Sequence, residues 1–240
     1  MKKMIGILSM SVCLLAVAYV AYSSVDNSIT AEDRVYIGKI LEEGGVKPMR
    51  KQRGYSDEIE YIKAVQRAVQ RLAGKGECSP PGSTREPKDL YIRRRGESYD
   101  RSRVIEKMLR EAGFQTRHVM LFSTSESGSR LKALIIPGFM SHSITEVLTR
   151  RGWLVVDPDD PWISVNRSGE PMLLRAVQSD VDKRLIAWGG TEVRTMPFWY
   201  RQHFTYVFGL YSRHGKFYPP YNFFPDINWL EFSYNFIPSL

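Results

Sequence analysis

The chain has 240 residues, 43% of them hydrophobic and 25% charged, with a formal net charge of +8 and a pI near 9.4. This is enough apolar material for a filled core, and with only two cysteines it excludes a disordered, collagenous or disulfide-scaffold protein. The basic excess does not by itself define a nucleic-acid binder, because no binding motif or aromatic-interleaved basic patch accompanies it.

Lys2-Lys3 precede an apolar run from Met4 to about Tyr22. A positive flank followed by a hydrophobic stretch is an export signal, and the run is near the lower length limit for a bilayer-spanning helix. Residues 1–25 are therefore expected to be a signal peptide or, preferably, a signal anchor, with residues 26–240 forming one exported domain. The clusters Arg50-Lys51-Gln52-Arg53 and Arg93-Arg94-Arg95 then read as solvated faces near anionic lipid or an acidic polymer. Cys13 lies within the apolar run and leaves Cys78 alone in the exported part, so packing, not an internal disulfide, must hold that part together.

Thr30-Ala31-Glu32-Asp33 reads as a capping box that starts a helix through Val35, Ile37, Ile40 and Leu41, ending at Gly44-Gly45. Ser56 is expected to cap a second helix, on which Ile59, Ile62, Val65, Val69 and Leu72 recur at helical spacing until Gly74. Nothing on that helix has catalytic spacing. Residues 74–90 are loop-like, with Gly74, Gly76, Pro80-Pro81-Gly82 and Pro87. A third helix follows Gly96, its apolar face marked by Val104, Ile105, Met108 and Leu109, with Gly113 as C-cap.

The period then changes. Residues 117–122, 131–136, 143–148 and 153–156 read as strands, with a tight turn at Gly152 between the last two. Helices followed by consecutive short strands predict an α+β domain with a central helix packed on an antiparallel sheet. From about residue 196 to 240 the chain is dense in Phe, Tyr and Trp without a clean period. It is expected to wrap the domain as coil and bury aromatics; a wall of a substrate groove is the alternative.

Three side chains could carry chemistry. Ser98 sits where the third helix begins, near backbone N–H groups and the positive end of the helix dipole; considered alone, a hydroxyl there is an ordinary N-cap. His142 precedes a strand and lies 44 residues beyond Ser98, and Asp157 follows a strand 15 residues later. That last separation suits neighbouring antiparallel strands, on which a carboxylate can fix an imidazole tautomer. A nucleophile, a base and an orienter in this order would attack an acyl carbon. The four histidines, 118, 142, 203 and 214, show no paired-ligand spacing. Asp157, Asp159 and Asp160 lack an EF-hand pattern, and no Gly-rich phosphate loop occurs, so neither a metal nor a cofactor is expected.

Three blocks together carry a resemblance. Gly96-x-Ser98-x-Asp100 with Leu109-Arg110-Glu111-Ala112-Gly113 and Arg117-His118-Val119, then His142 through Glu146-Val147, then Trp153 through Asp157-Pro158, resemble the transglutaminase-like superfamily of the papain-like fold over roughly residues 90–160. The resemblance implies Ser98 as nucleophile, His142 as base and Asp157 as orienter, with Ser98 standing where that family carries Cys. It implies an acyl transferase or peptidase acting on protein or peptide amides. The alternative is a catalytically inactive module on the same fold that binds an acidic envelope polymer or protein partner. Nucleic acid is not an expected partner, and the oligomeric state is left open.

Overall fold

In the computed structural model of the protein, which describes residues 2–25, 27–49, 54–76, 85–125, 127–136, 138–179, 186–187, 197–211 and 226–236, the five longest helices precede the strands of the central sheet, which short helices interrupt and follow. The helices are α1 (Lys2–Ser23), α2 (Ala31–Glu43), α3 (Tyr55–Leu72), α4 (Pro87–Arg93), α5 (Ser98–Glu111), α6 (Arg130–Ile135), α7 (Leu174–Ser179) and α8 (Trp229–Ser233). The strands are β1 (Gly74–Lys75), β2 (Arg95–Gly96), β3 (Gln115–Ser123), β4 (Ser141–Thr149), β5 (Gly152–Val156), β6 (Val165–Asn166), β7 (Ile186–Ala187), β8 (Phe204–Phe208), β9 (Leu210–Tyr211) and β10 (Asp226–Ile227). A four-stranded antiparallel sheet, in the order β5-β4-β3-β8, forms the centre.

The helices begin where local chemistry satisfies their first amides. The Thr30 hydroxyl accepts from the Asp33 amide at 3.0 Å and the Asp33 carboxylate accepts from the Thr30 amide at 2.9 Å, the reciprocal box read from the sequence. At α3 the cap is Gly54, not Ser56: Asp57 reaches back to the Gly54 amide at 2.7 Å, so the helix starts a residue before the serine. Pro87 opens α4 inside the stretch expected to be loop, in the position where its missing N–H costs nothing. Gly113 ends α5 with φ of +84°.

Helix α5 lies across one face of the sheet. Val104, Ile105, Met108 and Leu109 are buried with Ile62, Val65 and Val69 of α3 and with Val147, Leu154 and Val156 of the sheet. Ser102 and Thr145 bond hydroxyl to hydroxyl at 3.0 Å, and the Thr145 hydroxyl donates to the Ser102 carbonyl at 3.1 Å, fixing the second turn of α5 over β4. The opposite sheet face buries Val119, Leu121, Ile144 and Val155 under Trp162, Leu174, Val177, Tyr200, Phe204 and Phe208.

Two expectations change. Residues 131–136, read as a strand, fall within and just beyond α6; both edges of β3 are already taken, by β4 and by β8, so the short apolar run winds up instead. The aromatic C-terminal segment, read as coil, supplies that edge strand β8, together with β9, β10 and α8. Arg50-Lys51-Gln52-Arg53, Cys78 with Pro80-Pro81-Gly82, His214, and residues 217–225 lie outside the described residues.

The C-terminal end of α1 is joined to the domain. Ser24 bridges Ile227, the Val25 amide donates to the Ile227 carbonyl at 3.0 Å, and Tyr19 packs edge-on against Trp229. Val12, Leu14, Leu15 and Val17 of α1 are exposed. Among the described residues no helix is long and apolar enough to cross a membrane.

Candidate active site

Ser98 is the first residue of α5. The cap is Glu97, whose amide donates to the Asp100 carboxylate at 3.1 Å, so Asp100 does the capping work that Ser98 could have done. Asp100 is itself held by Arg85 at 3.0 Å, with Arg93 3.8 Å away. Gly96 is required by closeness: a Cβ there would come within 2.8 Å of the Asp100 Cβ and 2.9 Å of a Leu90 methyl. Released from capping, the half-buried Ser98 Oγ turns toward β4 and accepts from the Ser143 amide at 3.2 Å. An amide aimed at this atom, added to the positive helix end, favours negative charge on it.

The sheet register brings the other two together. In the β4–β5 pairing Thr145 faces Val156, which puts residue 144 opposite residue 157 and makes His142 the diagonal neighbour of Asp157 on the same face. The His142 Nε2 lies 3.0 Å from Asp157 Oδ2, and both side chains are buried. With Nε2 engaged by the carboxylate, Nδ1 is the ring nitrogen left to exchange a proton. The two-strand juxtaposition expected from the 15-residue spacing is thus present, and the nucleophile candidate is bonded to the residue after His142.

Asp157 is over-determined. Its Oδ1 accepts from the amides of Asp159 and Asp160 at 2.7 and 2.9 Å, and its Oδ2 also accepts the Tyr200 hydroxyl at 2.8 Å. Complete burial works to raise its pKa, but the His142 charge and hydrogen bond, the Asp160 amide and Tyr200 outweigh it and hold the carboxyl below the ordinary carboxylate value. Burial and the Asp157 charge push the Tyr200 phenol well above its usual range, so it stays a donor. The turn Asp157–Asp160 is a hydrogen-bonded turn, and among the described residues no group of three acidic, His or Cys side chains is arranged to hold a metal ion.

Three contributors had no catalytic signature in the sequence. Gln66 of α3, only 1% exposed, donates its amide group to the carbonyls of Asp157 (2.7 Å), Asp160 (3.0 Å) and Trp162 (2.8 Å), pinning the turn that carries the carboxylate. A polar residue four positions after Ile62 and three before Val69, inside the apolar stripe, was the available signal. Trp199 stacks on the His142 ring with centroids 5.1 Å apart and planes within 5°, and Tyr200 follows it. Both belong to the segment expected to wrap the domain, and at these two residues it is also a wall of the site.

The class defined is an α+β protein with a hydroxyl at a helix start beside a buried His–Asp pair on an antiparallel sheet. Residues 49–158 match the family model of the transglutaminase-like superfamily, a span that includes all three side chains. Two solved structures are similar to it. The arylamine N-acetyltransferase of Salmonella typhimurium aligns at 15% identity and a TM-score of 0.35 over 55% of this chain and 46% of its own. A proposed cysteine protease of Cytophaga hutchinsonii aligns at 14% identity and a TM-score of 0.39 over 75% of this chain and 60% of its own. The alignments thus span about half of the first structure and three-fifths of the second. No curated protein sequence matches the chain significantly.

Proposed function

We propose that the protein transfers or hydrolyses acyl groups at amide or peptide carbonyls, with Ser98 as nucleophile, His142 as base and Asp157 as orienter. The observation that carries this reading is the 3.0 Å contact of His142 Nε2 with a buried Asp157, beside a serine that is free of capping duty. Ser98 Oγ bonds to the acyl carbon as its proton passes to His142 Nδ1. The carbonyl oxygen becomes an oxyanion at the amide-rich start of α5. As the C–N bond breaks, His142 returns the proton to the departing amine. Water or a second amine then attacks the acyl-serine, giving hydrolysis or transfer.

A second reading is favoured by Ser98 itself. A serine ionises far less readily than the thiol this helix start suits. On that reading the groove binds an acidic envelope polymer or protein partner without turnover. In both readings the Lys2-Lys3 flank and the uncovered apolar surface of α1 support export and membrane attachment.

Assays of the full chain, its Ser98→Cys variant and its Ser98→Ala variant on activated esters and peptide amides separate the two. Turnover by the native chain that Ser98→Ala abolishes supports the enzyme. Turnover only in Ser98→Cys supports the binding module on an intact scaffold. A complete absence of turnover in all three removes the acyl-transfer reading.

A further inference from the structure

Around the edge strand β8, drawing side chains from both faces of the sheet, lies a concavity of about 1420 Å³ that includes none of Ser98, His142 and Asp157. It is larger than the roughly 300–1,000 Å³ of ordinary small-molecule pockets. Its walls are aromatic and aliphatic, with Trp153, Tyr206, Phe208, Trp229, Phe232 and Tyr234 prominent. The charges in it are unequal. The buried Glu146 is neutralised by Arg117 at 2.7 Å and accepts the Leu174 amide at 2.9 Å, and the Arg117 guanidinium lies over the rings of Trp153 and Phe208 at 4.2 and 4.3 Å. Arg151 is paired with Glu170. Arg130 of α6 and Arg175 of α7 also line the cavity, are exposed, and have no ionic partner among the described residues; the charges of both reach the Tyr206 phenol.

At the rim an apolar side chain stands where water would favour a polar one. Just before α7 stands Leu173, 44% exposed, which lines the cavity. The cavity also reaches α1, through Tyr19. An aromatic trough with two guanidiniums that have no ionic partner among the described residues, and with continuity to an apolar helix, has the polarity pattern that an anionic amphiphile matches.

We propose that this cavity binds an anionic phospholipid of the bilayer, its chains along the aromatic floor and its phosphate held by Arg130 and Arg175. The membrane attachment proposed above supplies the source of the lipid, but the binding itself does not depend on it.

The test uses the full chain in a neutral detergent with equal amounts of dioleoyl phosphatidylglycerol and dioleoyl phosphatidylcholine, the lipid retained per chain being read by mass spectrometry of the intact complex. Phosphatidylglycerol should be retained over phosphatidylcholine by about tenfold, and the double variant Arg130→Gln/Arg175→Gln should bring the ratio close to one. Both side chains are exposed, so the variant keeps the fold, which its melting temperature verifies. Equal retention of the two lipids, or a preference unmoved by the double variant, overturns the proposal. Displacement of the lipid by millimolar inorganic phosphate alone also overturns it, since the site would then hold an anion and not an amphiphile. Carbonate extraction of the native membrane fraction reads attachment separately: a chain that carbonate releases, yet that retains phosphatidylglycerol selectively, refutes the attachment and keeps the lipid site.

Discussion

Two histidines lie buried in adjacent strands of one sheet, on opposite faces, and their surroundings give them different fates. His142 on β4 has a carboxylate 3.0 Å from one ring nitrogen, a tryptophan stacked on its plane and the start of α5 close by. His118 on β3 lies between Tyr211, stacked at 4.5 Å, and Tyr99, edge-on at 5.2 Å, and neither of its ring nitrogens has a hydrogen-bond partner among the described residues. Its closest acid, Glu106, faces it with Oε2 at 3.8 Å, beyond hydrogen-bond reach, while its Oε1 holds Arg110 at 2.7 Å and the Tyr211 hydroxyl at 2.9 Å. Burial, with Arg103 and Arg110 adding to it against the pull of Glu106, lowers the His118 pKa to about 4, so this ring is a neutral packing element at pH 7. Burial alone therefore does not make a histidine a reagent. What His142 has and His118 lacks is one nitrogen assigned to an ionised partner that holds the ring in place.

The comparison breaks most sharply at the reagent. In whichever of the native chain or the Ser98→Cys variant turns over, His142→Ala should lower kcat by at least about 10³-fold, while His118→Ala leaves kcat of the folded fraction nearly unchanged and lowers the melting temperature. Equal losses of kcat in both variants would dissolve the distinction. Asp157→Asn comes next. Asparagine keeps the shape but cannot accept at both oxygens from four donors, so kcat should fall by about 10²- to 10³-fold, with a smaller change in KM. Third, Gln66→Leu leaves the carbonyls of Asp157, Asp160 and Trp162 without their shared donor; urea denaturation should show a loss of about 3 kcal/mol. Rate measurements on the folded variant should show a fall in kcat without a matching rise in KM, which a purely structural role would not produce.

The smallest effect sharpens the other side of the comparison. The His118 pKa is lower folded than unfolded, so its contribution to stability is complete above the unfolded value near 6.5 and is lost as pH falls toward 4. His118→Phe keeps the aromatic sandwich and removes that titration. The variant should match the native chain near pH 7 and exceed it by about 2 kcal/mol at pH 5 in urea denaturation. Parallel pH profiles of the two proteins would show that His118 is not the neutral ring described.

Much of the site was legible in the sequence because it rests on short-range rules. The Thr30 box, the start of α5 after Gly96, and the 15-residue interval that sets His142 diagonal to Asp157 all follow from helix capping and strand register. What was not legible depends on contacts between distant segments. Residues 131–136 are apolar enough for a strand; the edges of the neighbouring β3 are taken, and Ala133 and Leu134 join instead the cluster of Phe122, Leu210 and Ile227, which draws on residues far along the chain. Trp199 and Tyr200 lie far along the chain from His142 and Asp157 in a segment with no period, so nothing local announces that they close over the pair. Gln66 announced itself only as a polar residue in an apolar stripe, and its three acceptors lie more than 90 residues away.

The joint between α1 and the domain has a mechanical consequence. Ser24 and Val25 are stitched to Ile227, and Asn27 bonds to the Tyr211 hydroxyl at 2.9 Å and to Arg103 of α5. These contacts tie the C-terminal end of the first helix to the element that begins with Ser98. Under the membrane attachment proposed above, the seating of α1 therefore also constrains where Ser98 faces, whether the site turns over an acyl group or only binds one.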